Sequence, residues 1–386
     1  MNLHLVGGFL GSGKTTAIIG AAKHLMAKGL RVGVVTNDQG RYLVDTAFFR
    51  LNALPAVEVT GGCFCCNYDD LTKRLDEIVA AARPDVVFAE SVGSCADLVA
   101  TVVKPLLELG TFGGRGPASF SAFADARLLR RRLLGQEMPF ADDVVYIFDQ
   151  QIAEAGLLVV NKADLLAQAA PPALAETRAL VAEHFPGRAA LFQDSLKTSD
   201  SESAQATAGI SGVDDWAEII QGGALRLPPA ALDVDYRRYG AGEAGLAWLD
   251  EELSVAGPDV RLFLDLFLRE AAARLRAAAV PVGHLKLLAR AGDFAVKLSL
   301  TAGDALAGEG EAMMDPPWQA GLSGLPPGAG PVRVTINARV QMEAAALRAL
   351  AAAALAEAAQ ASGVSYQVTA VSFFHPAYPQ PVHHLA

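Results

Sequence analysis

The first residues of the chain contain a complete phosphate-binding loop. Residues 8–15 read GFLGSGKT and fit the pattern G-x-x-x-x-G-K-[ST] at every fixed position. The apolar stretch from Leu3 to Val6 predicts a short buried strand before the loop, and the stretch from Thr16 to Lys28 predicts a helix after it. A loop of this kind between a strand and a helix is typical of P-loop nucleotide-binding folds, and few other folds fit the arrangement.

The chemistry of this loop assigns roles to its residues. The glycines let the backbone curl, so that successive N–H groups point at the phosphates of a nucleotide. Lys14 would reach the β- and γ-phosphates, and the Thr15 hydroxyl would ligate magnesium. The residues expected to hold the phosphates are Gly8, Gly11, Ser12, Gly13, Lys14, Thr15 and Thr16.

A second motif predicts which base the nucleotide carries. Asn161, Lys162 and Asp164 form an N-K-x-D sequence directly after the apolar strand Leu157–Val160. The Asp164 carboxylate could accept hydrogen bonds from N1–H and from the N2 amino group of guanine, and adenine offers neither donor. Asn161 and Lys162 would hold the base and its loop, with 194–197 as a second base-contacting loop. The sequence therefore predicts GTP and GDP as ligands.

Two further strands end in acidic residues. Glu90 ends the buried strand 85–90, where it could orient the magnesium shell or the attacking water, and the N–H of Gly93 could contact the γ-phosphate. Asp38 ends another strand and is a candidate magnesium-linked switch residue, with Asp45 as its neighbour. Each acid alone also fits an ordinary solvated strand end. Together they mark the carboxyl ends of parallel strands, where such folds bind ligands.

The third feature is a cluster of thiols. Cys63, Cys65 and Cys66 lie within four residues, and the only other cysteine is Cys95. Three thiolates suit Zn²⁺, Co²⁺ or another thiophilic ion, and they leave a coordination position open for passing the ion on. A redox-sensing cluster and buried structural cysteines are the alternatives. Cys95 fits a buried helix residue better than a further ligand.

The histidines offer less. His375, His383 and His384 fit a polar segment better than a second metal site.

Composition narrows the class of protein. The 386 residues carry a formal net charge of −10, which argues against a nucleic-acid partner and against a polybasic membrane anchor. The sequence shows neither a secretory signal nor about 18 uninterrupted apolar residues, so no membrane span is expected. Cysteines that do not form a disulfide framework favour a cytoplasmic protein.

The pattern of elements predicts an α/β fold with two domains. Residues 1–225 alternate apolar strands with helices, which indicates a mostly parallel P-loop NTPase sheet with helices on both faces. Residues 226–386 predict a smaller α+β domain. Its strands are expected at 243–254, 283–290, 293–301, 332–340 and 364–373, and its helices at 258–279 and 341–361. Residues 198–212 predict a surface loop.

Taken together, the motifs resemble those of the CobW-type GTPases, relatives of the UreG and HypB metal-insertion GTPases. The resemblance rests on the phosphate loop, on 37–40 (NDQG), 62–66 (GCFCC), 90–93 (ESVG), 151–152 (QI) and 161–164 (NKAD), and it covers about the first 220 residues. The chain departs from the family pattern at Val92, where a hydroxyl residue is common. It also departs at Gly156, where an aspartate is common, and it lacks a His-rich stretch.

The resemblance implies a GTP-hydrolysing metallochaperone with magnesium at the nucleotide and a transition metal at the cysteines. Such a protein delivers its metal to a metalloprotein or corrinoid-protein client, and the second domain would then recognise that client. Analogy also allows a homodimer through the nucleotide face. Two alternatives stay open: a nucleotide-gated client clamp that transfers no metal, and a P-loop small-molecule kinase or ligase.

Overall fold

The computed structural model describes residues 1–40, 44–110, 116–169, 171–197, 209–223, 225, 227, 231–292, 294–307, 318–326, 328 and 331–385. The chain forms two units. The first comprises Met1–Gln39, Asn52–Gly242 and Tyr378–Ala386, and the second comprises Gly40–Leu51 and Glu243–Ala377. Of the predicted loop at 198–212, residues 198–208 lie outside the described part of the chain.

The first unit is built on a seven-stranded parallel sheet, as the alternation of elements predicts. Its strand order is β3-β2-β4-β1-β5-β6-β7. The strands are β1 (Asn2–Gly8), β2 (Val32–Asp38), β3 (Ala56–Thr60), β4 (Val86–Glu90), β5 (Ala118–Asp125), β6 (Leu157–Asn161) and β7 (Ala189–Gln193). The central strands are buried on both faces because they carry near-continuous apolar runs, as in Val86–Glu90.

Helices connect the parallel strands. They are α1 (Lys14–Ala27), α3 (Tyr68–Ala82), α4 (Lys104–Glu108), α5 (Ala126–Leu133), α6 (Asp142–Ala153), α7 (Ala163–Ala169), α8 (Pro171–His184), α9 (Val213–Gln221) and α10 (Tyr236–Ala244). A π-helical turn, Val99–Val103, leads into α4. None of the helices in the described part of the chain combines the length and apolar composition that a bilayer crossing requires.

The sheet register brings the predicted motifs to one edge. Val6 lies opposite Glu90 in the β1–β4 pair, and Thr36 lies opposite Glu90 in the β2–β4 pair. Asp125 lies opposite Asn161 in the β5–β6 pair. Because the strands are parallel, the segments that follow them emerge from the same side of the sheet, where doubly wound folds bind ligands.

The second unit is an antiparallel sheet packed against helices. Its strand order is β10-β9-β11-β8-β12. The strands are β8 (Ala247–Ala256), β9 (Val282–Ala291), β10 (Phe294–Thr301), β11 (Val332–Val340) and β12 (Ser365–Phe374). The helices are α2 (Val44–Leu51), α11 (Val260–Ala277), α12 (Ala302–Ala307), α13 (Gln319–Leu322) and α14 (Ala344–Ser362). Side chains of α11 and α14 share one apolar core with the inner face of the sheet.

The chain passes from the first unit to the second at Gly242, not at the predicted position between residues 225 and 226. Helix α10 explains the difference, because its tyrosines bond to the first unit. The Tyr239 hydroxyl accepts a hydrogen bond from the N–H of Ala96 at 3.1 Å, and the Tyr236 hydroxyl donates to Asp97 at 2.5 Å. These partners are more than 130 residues away along the chain, so the sequence pattern does not reveal them.

The second unit also contains a short segment from the amino-terminal part of the chain. Helix α2 contacts β9 and β11, and the N–H of Val44 donates to Asn337 at 3.3 Å. Asp45 accepts hydrogen bonds from Lys286 at 2.7 Å and from Lys297 at 2.8 Å. Burial alone would raise the pKa of Asp45, but the two ammonium groups hold it well below its ordinary value. Asp45 therefore acts in the structure as an anchor of α2.

Substituting Asp45 with asparagine tests this anchor. The variant leaves two half-buried lysines without their counter-ion, so the free energy of unfolding should fall by about 2 kcal/mol, between the values for exposed and buried pairs. Hydrogen exchange of the α2 and β9 amides measures the loss. Glu357→Gln removes an exposed partner of Arg274 and should change exchange little.

The same variant predicts a pH dependence. A carboxylate whose pKa is lower in the folded state stabilises that state above its unfolded pKa, about 3.9 for aspartate, and the stabilisation disappears as pH falls below that value. The difference between the protein and Asp45→Asn should therefore be full at pH 7 and shrink below about pH 4. A difference independent of pH would contradict the ionic role of Asp45.

Candidate functional site

The phosphate loop has the backbone conformation that its glycines permit. Gly8, Gly11 and Gly13 have φ values of 121°, 73° and 95°, a region that disfavours residues with a Cβ atom. The Ser12 hydroxyl donates to the carbonyl of Phe9 at 2.7 Å and closes the turn. Helix α1 begins directly after Gly13, so its first N–H groups are available to an anion in the loop.

Lys14, Thr15 and Thr16 lie in the first turn of α1. Lys14 Nζ donates to the carbonyls of Gly8 at 2.6 Å and Phe9 at 3.3 Å, so the ammonium group lies over the loop. Thr15 is buried, and Thr16 is half-buried beside it. The cationic end of Lys14 is therefore positioned where the phosphates of a nucleotide would lie.

The predicted magnesium ligands Thr15 and Glu90 lie side by side. The Thr15 hydroxyl donates to Glu90 Oε1 at 2.9 Å, and both side chains are buried. A hydroxyl and a carboxylate next to a phosphate loop are the hard oxygen donors that Mg²⁺ prefers. Asp38 ends β2 at the same edge of the sheet, but its side chain lies outside the described part of the structure.

Gly93 packs directly against the phosphate loop. A Cβ atom at this position would lie 2.7 Å from the side chain of Leu10 and 3.0 Å from its backbone. Gln151, which belongs to the quoted family motif, donates to the carbonyls of Gly93 at 3.0 Å and Cys95 at 2.8 Å. The segment after β4 is thus held against the loop by a buried side chain from α6.

The predicted base-reading residue Asn161 connects two loops. Its Nδ2 donates to the carbonyl of Ser12 at 2.7 Å, and its Oδ1 accepts from the Ser195 hydroxyl at 2.7 Å. A Cβ atom on Gly13 would lie 2.3 Å from the same amide nitrogen. The structure therefore brings together the phosphate loop, the N-K-x-D loop and the 194–197 loop.

Lys162 is held by Asp125, a residue that the sequence motifs did not single out. Lys162 has a positive φ of 59°, and its Nζ lies 3.0 Å from Asp125 Oδ2. Asp125 ends β5, is buried, and also pairs with Arg127 at 2.7 Å. The sequence did contain an indication of this role, because Asp125 is another acidic residue at the end of a strand. Only the fold, however, shows that Lys162 is its partner.

The surroundings of Asp164 disfavour its charged form, although backbone N–H groups and the positive charge of Arg127 oppose this effect. Burial, and after it the negative charge of Asp194, raise its pKa above the ordinary value. Hydrogen-bond donors would relieve that destabilisation of the charged form. The predicted partners, N1–H and the N2 amino group of guanine, are such donors.

The three cysteines of the thiol cluster converge on one point. Their Sγ atoms all lie within 4.8 Å of one another: Cys63 and Cys65 at 2.8 Å, Cys63 and Cys66 at 3.2 Å, and Cys65 and Cys66 at 3.8 Å. All three are free thiols. Tetrahedral zinc with Zn–S bonds of about 2.3 Å separates its sulfurs by about 3.8 Å, so an entering ion would spread the cluster slightly.

The three thiols differ in pKa, so they lose their protons at different pH. Hydrogen bonds with Cys65, Cys66 and Cys95 hold the pKa of Cys63 well below its ordinary value. Hydrogen bonding to Cys63 is the largest cause that raises the pKa of Cys65 well above its usual range and that of Cys66 to about 11. Cys63 is therefore the first sulfur to become a thiolate, the form in which a thiol binds metal.

Asn37 fixes the backbone of this loop. Its Nδ2 donates to the carbonyls of Gly62 at 2.7 Å and Val59 at 3.2 Å, and its Oδ1 accepts from the N–H of Phe64 at 2.9 Å. Asn37 is buried and precedes the predicted switch residue Asp38. Asn37 belongs to the motif NDQG at 37–40, but the sequence pattern alone does not reveal this role.

Cys95 also belongs to this neighbourhood. It is fully buried, as expected, but it lies in the irregular segment before the π-helical turn and not in a helix, and its thiol is a hydrogen-bond partner of Cys63. Cys95 follows Gly93 by two residues, so one short segment contacts both the phosphate loop and the thiol cluster.

The chain is similar to two curated zinc chaperones. It is 28% identical over 224 residues to "Zinc chaperone CobW" of Pseudomonas aeruginosa, covering 50% of this chain and 56% of that one. It is 30% identical over 171 residues to "Zinc chaperone YeiR" of Escherichia coli, covering 42% of this chain and 46% of that one. The chain thus spans about half the length of these curated relatives.

Among solved structures, the chain is similar to HypB from Helicobacter pylori in complex with nickel. The identity is 15%, the TM-score is 0.40, and the match covers 57% of this chain and 85% of that one. Likeness at this score supports neither a shared ligand nor a shared activity.

The model of one family matches the part of the chain that carries the motifs. Residues 2–187 match the family described as CobW/HypB/UreG, nucleotide-binding domain. This region contains the phosphate loop, the thiol cluster and the N-K-x-D loop, whose positions in the structure are given above. The family suggested by the motifs is therefore the one whose nucleotide-binding domain this part of the chain matches.

Proposed function

We propose that the chain is a GTP-hydrolysing metallochaperone. It would take up a transition metal, Zn²⁺ or Co²⁺, at Cys63, Cys65 and Cys66, and pass it to a metalloprotein or corrinoid-protein client. The observation that carries the proposal is the convergence of three free thiols within 4.8 Å in the same unit as a complete phosphate loop.

Guanine specificity is supported by the state of Asp164. A half-buried carboxylate with a raised pKa, beside a second carboxylate at Asp194, gains from ligand groups that donate hydrogen bonds. Guanine supplies two such donors on one edge. Adenine would place an acceptor, its N1, against the carboxylate.

Hydrolysis requires little covalent chemistry from the protein. Lys14 would neutralise the β- and γ-phosphates, and the N–H of Gly93 would bind the γ-phosphate. Thr15, Glu90 and Asp38 would hold the magnesium shell, and Glu90 could orient the attacking water. Magnesium supplies charge neutralisation on the transferred phosphoryl group when it is bound.

The metal specificity follows from the donor set. Three thiolates favour Zn²⁺ or Co²⁺ over Mg²⁺ and Ca²⁺. A set of three leaves a fourth tetrahedral position for a ligand of the client, so that the ion can pass by ligand exchange. The zinc chaperone names of two relatives support zinc as the first choice.

Two contacts support coupling between nucleotide and metal. Asn37 joins the end of β2, where the switch residue Asp38 follows, to the backbone of the cysteine loop. The segment from Gly93 to Cys95 joins the phosphate loop to the thiol of Cys63. A shift of either segment on GTP hydrolysis would change the geometry of the sulfurs.

We propose that the second unit recognises the client. The free thiols favour a reducing compartment and hence a cytoplasmic location.

A substitution at Asp164 tests the guanine assignment. Asp164→Asn replaces one acceptor oxygen with a donor, which mismatches the N2 amino group of guanine but matches the 2-oxo group of xanthine. We expect the variant to lose GDP affinity by about 100-fold or more and to gain xanthosine diphosphate binding. Fluorescent-nucleotide titration measures both affinities.

Glu183→Gln, at an exposed position of α8, makes the same acid-to-amide change outside the nucleotide loops and is the control, so it should leave GDP affinity unchanged. A protein that prefers ATP, and in which Asp164→Asn changes nothing, would contradict the proposal and favour a kinase or ligase.

A substitution at Asn37 tests the support of the metal loop. Asn37→Ser removes two hydrogen bonds to the cysteine loop, at Gly62 and Phe64, and one to Val59 in β3, but no sulfur. We expect cobalt affinity to fall about tenfold, as for other residues that hold metal ligands in place. Thiolate-to-cobalt charge-transfer absorbance in a chelator competition measures it.

Asn52→Ser, at a half-buried asparagine whose oxygen accepts an exposed hydrogen bond from Lys23, is the control and should bind cobalt normally. An unchanged cobalt affinity in Asn37→Ser would remove Asn37 from the account. Loss of the cobalt band in Cys66→Ser is required in either case.

A further inference from the structure

A segment distant in sequence lies directly on the thiol cluster. Residues 378–385, here called the covering segment, belong to the first unit. The N–H of Gln380 donates to Cys66 Sγ at 3.1 Å, and the N–H of Val382 donates to the carbonyl of Cys65 at 2.9 Å. The middle of the covering segment thus contacts the sulfur of Cys66 and the backbone of Cys65.

Further contacts fix both ends of the covering segment. The ring of Tyr378 lies over Gly240, where a Cβ atom would be 2.3 Å from the ring. The ring of His383 packs edge-on against Tyr68, with centroids 4.7 Å apart. The N–H of Leu385 donates to the carbonyl of Ala100 at 2.9 Å.

The polar anchor of the segment is Asp97. His384 Nε2 lies 3.1 Å from Asp97 Oδ2, and the Tyr236 hydroxyl donates to the same oxygen at 2.5 Å. Asp97 is fully buried with a left-handed φ of 60°, and no protein group in the described structure donates to its Oδ1. A buried aspartate in this conformation costs free energy, and such residues persist where they have a role.

The position of Asp97 connects the anchor with the metal loop. Asp97 follows Cys95 by two residues, and the thiol of Cys95 forms a hydrogen bond with the thiol of Cys63. The covering segment therefore contacts the thiol cluster directly through Gln380 and indirectly through His384 and Asp97.

We propose that the covering segment takes part in metal binding and in metal exchange at the thiol cluster. Its Gln380 N–H holds the sulfur of Cys66, and the contact between His384 and Asp97 latches it over the cluster, so that metal enters and leaves only when the latch opens. The inference rests on the proposed function, and it adds a positioning donor and a gate to the three sulfurs.

The chemistry of both parts follows from general rules. An N–H donor to a thiolate stabilises the charged, metal-binding form of the sulfur. An ion that enters and spreads the sulfurs toward about 3.8 Å requires the covering segment to move aside, after which the Gln380 N–H can donate to the metal-bound sulfur of Cys66. Opening of the latch should therefore limit the rate of metal exchange, and the N–H should add to metal affinity.

The donor can be removed without changing any metal-binding side chain. Gln380→Pro lacks the backbone N–H, whereas Gln380→Ala retains it and is the matched control. We expect cobalt affinity to fall about tenfold in Gln380→Pro and to stay unchanged in Gln380→Ala. Equal affinities in the two variants would overturn the role of the donor.

The latch is tested by His384→Ala, with the exposed His184→Ala as control. We expect cobalt transfer to EDTA to become about tenfold faster in His384→Ala, with an unchanged charge-transfer band. Transfer at the rate of the unmodified protein would overturn the latch. A band that loses an imidazole contribution would also overturn it, because His384 would then be a ligand.

A metal-free readout separates this inference from the proposed function. Alkylation of Cys66 in the apo protein should be faster in His384→Ala than in His184→Ala, whether or not the protein binds cobalt. If the unmodified protein binds no cobalt, the metallochaperone proposal fails. Equal alkylation rates in the two variants contradict the covering segment by themselves.

Discussion

The parallel pairing of β1, β2, β3 and β4 is the constraint on which the rest of the site depends. Because these strands run in one direction, the phosphate loop, the switch segment, the cysteine loop and the Glu90 segment all leave the sheet at the same edge. Motifs separated by tens of residues thereby become neighbours. A nucleotide site and a thiol cluster in one domain follow from this topology and not from chain proximity.

The contacts between these segments are the basis of the proposed coupling between the nucleotide and the thiol cluster. From the end of β2, Asn37 hydrogen-bonds to the cysteine loop. In the segment after β4, Gly93 lies against the phosphate loop, and the Cys95 thiol hydrogen-bonds to that of Cys63. Both are buried, specific contacts, so small displacements at the nucleotide would reach the sulfurs without a long relay. The covering segment adds one hydrogen bond to Cys66 Sγ and one to the carbonyl of Cys65.

The sequence predicted the parts of the site that depend on local pattern. Three short motifs indicate their chemistry without knowledge of the fold: the phosphate loop, the N-K-x-D loop and the C-x-C-C cluster. The strands and helices follow the hydrophobic periodicity of the sequence. Contacts between distant residues were not predictable in this way. Asp125 with Lys162, Asn37 with Gly62, and Gln380 with Cys66 are set by topology and packing.

The same limit explains the differences in domain organisation. Residues 226–242 were expected in the second domain, but the Tyr236 and Tyr239 side chains bond to the first unit. Asp45 was expected only as a neighbour of the switch candidate Asp38, and the structure shows it paired with Lys286 and Lys297 in the second unit. In each case a buried hydrogen bond to a distant partner decides the position.

The most direct test of the central claim is a linkage measurement between metal and nucleotide. Zinc affinity would be measured with GDP and with a non-hydrolysable GTP analogue, and each nucleotide affinity would be measured with and without zinc. The account predicts a zinc affinity that differs by about 5- to 150-fold between the two nucleotide states, with the same factor in the reciprocal experiment. Equal zinc affinities in both states would contradict it.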